Sequence, residues 1–268
     1  MPAKDGFILT PDDIEYVRNV YLLRMATIDH LAALTNRSYT RTQKRTAKLE
    51  ARGYLDALTR PPRKTFYALG KEGVAALVEA GHAPEELLDK RPRHKELKDL
   101  FLDHLLMVKD IQVKLMIGTR GTAIRIVTWI EGEDLYDSVT IQDKQGQKNV
   151  ALRIPVRPDA FFVLQDTSRP EGKNLLPVVL EADRSTESHD RMRTKIKGYV
   201  HYFHQDLAIK KWGFKFFRVL TVTRTAARAH NLRNELQDLL PSQVRPHYLF
   251  AGMEALTLET LIPQATSA

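Results

Sequence analysis

The stretch PDAFFVLQDTSRPEGKNLLPVVLEAD, residues 158–183, decides the fold of the larger part of this chain. Two apolar runs, residues 160–164 and 175–182, have the length and composition of β-strands. Between them, Ser168–Gly172 contains the serine, proline and glycine that favour a chain reversal. The stretch therefore predicts an antiparallel β-hairpin whose turn is centred on residue 170.

Three acidic residues lie at the open end of this hairpin. Asp159 and Glu181 are equally far from the centre of the turn, so they are expected to face each other with Cβ atoms roughly 4.5–5.5 Å apart. Asp183 follows Glu181 by two residues and therefore projects from the same face. Like charges this close destabilise a sheet unless a cation neutralises them, and Mg²⁺ or Mn²⁺ accepts carboxylate oxygens. The three residues predict a metal site; strand-end acids paired with arginines are the alternative.

A lysine follows the hairpin on a helix predicted from about Thr186 to Phe203. Lys195 shares one face of this helix with Tyr199 and Tyr202, at steps of four and three residues. A lysine beside a metal-bound water can orient the nucleophile or stabilise the charge that develops during phosphodiester cleavage. A solvated basic face is the alternative for Lys195, and packing is the alternative to a nucleophilic role for Tyr199. The candidate catalytic residues are Asp159, Glu181, Asp183 and Lys195.

Further elements on both sides of the hairpin define an α/β domain. A continuous apolar stripe predicts a long helix from His94 to about Leu115. Additional strands are predicted at residues 123–130, 138–142, 150–156, 216–222 and 247–251, and a helix at 225–240. This order predicts an α/β (α+β) domain built on a mixed sheet in which the strands between residues 150 and 182 form an antiparallel hairpin.

The first eighty residues have the element order of a winged helix-turn-helix. Three helices are expected to begin near Pro11, Thr27 and Tyr39, with Thr27 and Ser38 as N-caps of the second and third. Gly53 is placed to end the third helix in a left-handed conformation. Two strands, 54–58 and 65–69, and a helix, 71–80, follow.

Basic side chains mark one face of the third helix and the tip of the hairpin. In this fold the third helix enters the major groove of DNA, and the wing contacts the flanking backbone. Thr42, Thr46 and Leu49 are predicted to face inward. The candidate DNA-binding residues are Arg41, Lys44, Lys48 and Arg52 on the helix, and Arg60, Arg63 and Lys64 at the tip. A winged helix used for protein contacts is the alternative.

The charge of the chain is concentrated in two stretches. The net charge is +8, yet residues 36–64 carry nine basic and two acidic side chains, and residues 184–233 carry twelve and three. Two separate positive regions favour a polyanion bound at two places. Two solvated helical faces are the alternative.

Several classes of protein are disfavoured by what the sequence lacks. The absence of cysteine excludes disulfides, thiol nucleophiles and thiolate metal sites. There is no P-loop and no apolar run long enough for a membrane span, and the histidine motif of rolling-circle relaxases is missing. His201 and His204 have no evident third zinc ligand. We expect a cytoplasmic protein, associated with the nucleoid or a plasmid and without membrane contact.

Three segments resemble the central motifs of the replication-relaxation proteins of plasmids and integrative elements. They are Arg157–Ala160, Val179–Glu187 and Lys195–Tyr199. Weaker similarity extends to His104–Leu105, Val108–Asp110, Trp129 and Glu131. The resemblance implies a PD-(D/E)XK nuclease-like domain behind a winged helix. The element pattern predicts limits of 1–81 for the DNA-binding domain and 94–268 for the nuclease-like domain, and the charged, proline-containing residues 82–93 predict a linker or a short connecting helix between them.

One residue departs from the nuclease pattern and leaves two functions open. The pattern places a lysine two residues after the glutamate, where this chain has Asp183. In the first hypothesis Lys195 substitutes for that lysine, and the protein nicks or relaxes double-stranded DNA with Mg²⁺ or Mn²⁺. In the second, catalysis has been lost, and the protein is a DNA-binding regulator or accessory factor. A homodimer is common for winged helices, but no clean heptad pattern specifies one here.

Overall fold

In the computed structural model, the chain is described over residues 7–59, 65–88, 99–145, 148–184 and 188–262. It divides into two compact units, residues 1–113 and 114–268. The predicted linker is described only as far as residue 88, so the predicted domain limits stay a prediction. None of the helices in the described part of the chain combines the length and apolarity needed to cross a membrane.

Helices and a small antiparallel sheet form the first unit. The elements are α1 (Pro11–Leu23), β1 (Ala26–Thr27), α2 (Ile28–Thr35), α3 (Tyr39–Glu50), β2 (Leu55–Leu58), β3 (Phe66–Leu69), α4 (Lys71–Glu79) and α5 (Asp99–Gly118), whose last residues belong to the second unit. The strand order is β1-β3-β2, and both pairings are antiparallel. The expected helices and the two expected strands are present. β1 was not predicted, because two residues are too few to show an alternating pattern.

Local signals in the sequence explain where these helices begin and end. Thr27 and Ser38 cap α2 and α3 by accepting hydrogen bonds from the backbone N–H three residues later. Gly53 follows α3 with a φ of +74°, a conformation that glycine adopts without strain. The backbone carbonyl of Gly53 lies so close to Gly70 that a Cβ atom there would collide with it. These two turns are therefore packed backbone against backbone.

The second unit is built on a five-stranded mixed sheet. Its elements are β4 (Ile124–Ile130), β5 (Asp137–Gln145), β6 (Lys148–Val156), β7 (Ala160–Asp166), β8 (Leu175–Asp183), α6 (His189–His204), α7 (Leu207–Trp212), β9 (Arg218–Thr223), α8 (Ala226–Leu236), β10 (Tyr248–Gly252) and α9 (Leu258–Leu261). The strand order is β10-β9-β8-β7-β4. β8, β9 and β10 are parallel, whereas β7 is antiparallel to both of its neighbours. The expectation of an α/β domain with a mixed sheet is confirmed at this level.

The strand predicted at residues 150–156 lies outside the mixed sheet. As β6 it pairs with β5 in a separate two-stranded sheet. The physical reason is that β4 and β8 occupy both edges of β7, which leaves no free edge there for β6. The hairpin of the mixed sheet is formed by β7 and β8 alone.

Helix α6 packs close to β6. A Cβ atom on Gly198 of α6 would lie 3.1 Å from Cγ2 of Ile154, so the absence of a side chain permits this approach. Tyr199 and Tyr202 of α6 are buried in one core cluster with Val179 of β8. Since Glu181 lies two residues after Val179, the same face of β8 presents Glu181 to α6.

Candidate functional site

The β7–β8 hairpin has the register predicted from its sequence symmetry. Its pairs run from Ala160 opposite Leu180 to Gln165 opposite Leu175, so each pair is symmetric about residue 170. A shift of one residue would turn every side chain to the other face of the sheet. The register therefore determines which acids lie together.

Asp159, one residue before β7, lies beside Glu181. The N–H of Asp159 donates to the carbonyl of Leu180 over 3.0 Å, and Oδ2 of Asp159 accepts from the N–H of Ala182 over 2.7 Å. The Asp159 carboxylate is thus held against the backbone of β8 on both sides of Glu181. Its negative charge acts on the pKa of Glu181. The two acids are neighbours, as the hairpin symmetry predicts.

Glu181 is almost fully buried and is bonded through both of its carboxylate oxygens. Only 2% of the residue is exposed. Lys195 places Nζ 2.7 Å from Oε2, and the hydroxyl of Tyr199 donates a hydrogen bond to Oε1. Lys195 and Tyr199 both belong to α6, where residues four apart share one face. We call Asp159, Glu181, Lys195 and Tyr199 the Glu181 cluster.

The surroundings of Glu181 favour its protonated form. Burial is the main cause that raises its pKa to about 7; the Lys195 charge lowers the pKa, and the Asp159 charge raises it. Near neutral pH, Glu181 therefore exchanges between the neutral and the charged form. A carboxyl group with this pKa is suited to accept or release a proton.

Tyr199 is a hydrogen-bond donor within the cluster. Its side chain is buried, and burial, followed by the charge of Glu181, raises the pKa of its hydroxyl well above the ordinary value. A phenol with a raised pKa stays protonated and holds the carboxylate of Glu181 in place. Burial and protonation both disfavour the nucleophilic role that the sequence left open for Tyr199.

Asp183 belongs to a different group of charges. Its Oδ2 accepts a hydrogen bond of 3.0 Å from Nε of Arg228 on α8. Arg228 also lies 2.9 Å from Nε2 of His189, whose other ring nitrogen pairs with Glu235. No sequence pattern predicts the pair, because Arg228 is far along the chain and on another helix. Asp183 thus faces the same way as Glu181 but is neutralised by arginine.

The acidic residues fit a divalent cation in part. Within the described residues, no group of three or more histidine, aspartate and glutamate side chains is arranged to hold a metal ion. Asp159 and Glu181 are neighbouring carboxylates, and carboxylate oxygens are the donors that Mg²⁺ and Mn²⁺ prefer, but both oxygens of Glu181 already bond Lys195 and Tyr199. Asp183, the third predicted ligand, is bonded to Arg228 instead. A cation at this place would rest on two carboxylates rather than three.

Glu131 lies at the same end of the sheet as Asp159. Ile130, the last residue of β4, pairs with Phe161 of the antiparallel strand β7. Glu131, which follows β4, and Asp159, which precedes β7, therefore lie at the same end of two neighbouring strands. Glu131 is buried and accepts a hydrogen bond of 2.5 Å from Nε1 of Trp129. Sequence reasoning did not make Glu131 a site residue; it appears only in the weaker part of the family resemblance. The reason is that no short-range pattern predicts the pairing of β4 with the later hairpin.

The exposed face of α3 carries the first three predicted DNA contacts. Arg41, Lys44 and Lys48 are exposed, whereas Thr42, Thr46 and Leu49 are buried, as the helical spacing predicts. The three cations line a groove of about 750 Å³ whose other wall is the start of α1. Arg41 lies 3.9 Å from the carboxylate of Asp12 in that wall.

The remaining predicted DNA contacts have other positions. The guanidinium of Arg52 lies 4.2 Å from the centre of the Phe7 ring, a cation–π distance, and donates to the carbonyl of Lys48. The Arg52 side chain thus packs on neighbouring residues of the first unit and does not extend into solvent. Arg60, Arg63 and Lys64 lie outside the described residues.

Comparison with protein families assigns the chain to one family. The family model described as Replication-relaxation matches residues 17–215, from α1 to beyond α7. No curated protein and no solved structure matches the chain. The matched range includes α3 and the complete Glu181 cluster, and it covers well over half of the sequence. The chain therefore belongs to the replication-relaxation family.

Proposed function

We propose that this protein binds double-stranded DNA and acts on it during the replication or transfer of a plasmid or another mobile element. Its first unit would serve as a winged helix-turn-helix, with α3 in the major groove and the β2–β3 hairpin as the wing. Family membership supports the setting, and the exposed cations of α3 support the contact.

The arrangement of α2 and α3 supports the DNA contact. Asn36 ends α2 in a left-handed conformation, and Ser38 starts α3 two residues later, so the two helices are joined by a short turn. Lys44 and Lys48 lie one helical turn apart on the exposed side, with no acidic partner among the described residues. Such cations are available to phosphates and base edges.

Fluorescence anisotropy on labelled duplexes tests the contact. We expect Lys44→Ala combined with Lys48→Ala to weaken duplex binding and to flatten its salt dependence by about 0.9 in log–log slope for each phosphate that is no longer neutralised. Arg18→Ala with Lys71→Ala, which removes two exposed charges elsewhere in the unit, is the matched control. Equal weakening in both double variants would contradict a specific role of α3.

We further propose that the Glu181 cluster is a nuclease-like site that nicks DNA with Mg²⁺ or Mn²⁺. The observation that carries this proposal is a buried glutamate, with its pKa raised to about 7, between a second carboxylate and a lysine. Buried acids that titrate near neutral pH are concentrated at functional sites. Asp159 and Glu181 would hold the ion, which would supply Lewis-acid stabilisation of the phosphodiester.

The remaining groups of the cluster have roles that follow from their contacts. Lys195 keeps its side chain partly open to solvent while its ammonium contacts Glu181, so it is placed to neutralise charge on a phosphate. Tyr199 orients the carboxylate by donating to Oε1. Glu181 would hold the ion in its deprotonated form, because a carboxylate that ligates a metal carries no proton.

Conversion of supercoiled plasmid to the nicked form, with Mg²⁺ present, tests the nuclease proposal. We expect Asp159→Ala and Lys195→Ala each to reduce the rate by at least about a hundredfold, the effect of losing a general acid–base or electrostatic group. Glu171→Ala, an exposed acid in the hairpin turn, should leave the rate unchanged. Calorimetric titration with Mn²⁺ gives a second readout, because Asp159→Asn should weaken the binding of the ion.

A non-catalytic DNA-binding factor is the second candidate. The Asp183–Arg228 pair favours this second candidate. The nuclease pattern has a lysine at position 183, whereas this chain has an aspartate whose charge is neutralised by Arg228. This function predicts tight, salt-dependent duplex binding with no strand breaks and no heat of Mn²⁺ binding. The plasmid and calorimetric measurements thus separate the two candidates, whereas the duplex measurement tests what they share.

A further inference from the structure

The fold engages part of the second basic stretch, residues 184–233, in contacts within the chain. Lys195 pairs with Glu181, Arg228 with Asp183 and Arg193 with Glu235. Arg218 and Arg233 donate to backbone carbonyls. The charges that remain open to a ligand are therefore fewer than the sequence indicates.

Two exposed lysines of this stretch lie next to or within one aromatic segment. Lys210, on α7, and Lys215, just after it, are exposed. Neither has an acidic partner within the residues that the structure describes. Lys210 directly precedes a short segment that mixes aromatic and basic residues, Lys211–Arg218, and Lys215 lies within it. Interleaved rings and cations are the combination that single-stranded nucleic acids require, because bases stack on rings while phosphates meet cations.

Three aromatic rings meet at the end of this segment. Phe216 and His247 have nearly parallel planes, 14° apart, with centroids separated by 6.1 Å. Phe203 lies 5.8 Å from each of them. Phe216 is nevertheless 56% exposed, and Nζ of Lys215 lies 5.8 Å from its ring centre. We call Phe203, Phe216 and His247 the aromatic platform.

The platform holds its exposed ring in a fixed place. Contacts with Phe203 and His247 limit the freedom of Phe216, which lowers the entropic cost of stacking a ligand on it. Burial and the charge of Arg218 lower the pKa of His247, so its ring is neutral near pH 7. A partly open aromatic ring with the ammonium of Lys215 beside it suits the face of a nucleobase.

We propose that the aromatic platform, with Lys210 and Lys215, is a binding surface for single-stranded DNA. A base would stack on Phe216, and the lysines would meet the phosphates next to it. The ligand is single-stranded because the faces of bases inside a duplex are already stacked and inaccessible. Its negative backbone complements the two lysines. The surface shares no residue with α3 or with the Glu181 cluster, so this proposal does not rest on the function proposed above.

Fluorescence anisotropy with labelled oligothymidine, performed on the full chain, tests the stacking contact. We expect Phe216→Leu, which keeps an apolar side chain but removes the ring, to weaken binding by about tenfold. Phe216→Tyr keeps the ring and should bind within about twofold of the wild type. Ile209→Ala, at an exposed apolar residue of α7, is the matched control and should leave affinity unchanged.

A second pair of variants tests the phosphate contacts. Lys210→Ala with Lys215→Ala should lower the log–log salt slope for oligothymidine by about 0.7 for each phosphate that is no longer neutralised. Duplex binding should change little in the Phe216 variants and fall in the α3 variants, so failure of either proposal is recognised separately. Thermal melts confirm that each variant is folded.

Three outcomes would overturn the proposal. The first is wild-type affinity of Phe216→Leu for oligothymidine. The second is equal weakening in Phe216→Leu and Phe216→Tyr, since the ring would then not be what binds the base. The third is a changed oligomeric state of Phe216→Leu, by light scattering, with oligothymidine binding intact; Phe216 would then belong to an interface between copies of the chain.

Discussion

A buried acid is paired with a base in each unit, and two such acids, Asp13 and Glu181, behave in opposite ways. Asp13 of α1 is fully buried and receives two hydrogen bonds from Arg45 of α3. Burial acts to raise the pKa of Asp13, but the hydrogen bonds from Arg45 and Thr10 outweigh it and hold the pKa below its ordinary value. Burial prevails at Glu181 and raises the pKa to about 7.

The difference follows from the partners rather than from the depth of burial. Arg45 binds Asp13 with both arms of its guanidinium, and Thr10 adds two hydrogen bonds of 2.7 Å. Glu181 has a single ammonium, a neutral phenol and a second acid beside it. The bidentate hydrogen bonds of Arg45 thus keep Asp13 ionised, and this ion pair stabilises the fold. Lys195 makes a single contact with Glu181, which therefore can gain or lose a proton near neutral pH.

The largest expected effect is at Asp13. Asp13→Asn leaves Arg45 without its counter-charge, and breaking a buried pair in this way costs about 3–5 kcal/mol. Urea unfolding at pH 7 measures the change, with Asp12→Asn, a half-exposed acid on the same helix, as the control. Because the pKa of Asp13 is lowered, its stabilisation is present above about pH 4 and is lost as the pH falls further. Equal unfolding free energies of Asp13→Asn and Asp12→Asn would contradict the stabilising role of the buried Asp13–Arg45 pair.

Glu181→Gln should have a smaller effect of opposite sign. A raised pKa means that the contribution of Glu181 is fully present below its ordinary value of 4.5 and is lost as the pH rises through about 7. At about 1.4 kcal/mol per pKa unit, this difference amounts to about 3 kcal/mol at pH 8. Glutamine imitates the protonated form, so the variant should be more stable than the wild type at pH 8 and equal to it near pH 4.5. Parallel stability–pH curves of the two proteins would contradict the raised pKa.

Lys195→Met tests how strongly the ammonium of Lys195 acts on Glu181. The ammonium of Lys195 is the main influence that lowers the pKa of Glu181, so its removal should raise that pKa further. The decline in stability with rising pH should then continue above pH 7. We expect a destabilisation of about 2 kcal/mol at pH 8, the typical value of a hydrogen bond to a charged group. Lys197→Met, an exposed lysine of α6, should leave the curve unchanged. Urea unfolding between pH 5 and pH 9 provides the measurement, and identical curves for the two variants would argue against the pair.

Tyr199→Phe should produce the smallest change. The hydroxyl donates to Oε1 of Glu181 and lowers its pKa, so its removal should shift the stability–pH curve upward in pH and cost about 1 kcal/mol at pH 8. Tyr248→Phe removes a longer hydrogen bond of 3.5 Å to the carbonyl of Ile196 and serves as the comparison. A larger effect at Tyr248 would show that Tyr199 does not hold Glu181.

Short-range patterns predicted much of the fold and half of the candidate site. The symmetry of the hairpin about its turn placed Asp159 beside Glu181, because antiparallel pairing depends only on distance from the turn. The N-caps Thr27 and Ser38 were predicted from their side-chain type and position, and the buried residues of α3 were predicted from helical spacing. The separate position of β6 was missed, because strand order depends on which edges remain free.

The sequence by itself determined the register of the β7–β8 hairpin, the N-caps of α2 and α3 and the buried face of α3, since these follow from side-chain type and from the fixed periods of helices and strands. Only the tertiary structure decided which base meets which acid: Arg45 with Asp13, Lys195 with Glu181 and Arg228 with Asp183. It also gathered Phe203, Phe216 and His247 into one surface. The physical reason is that an ionic or aromatic contact acts over a few ångströms in space, and separation along the chain does not measure that distance.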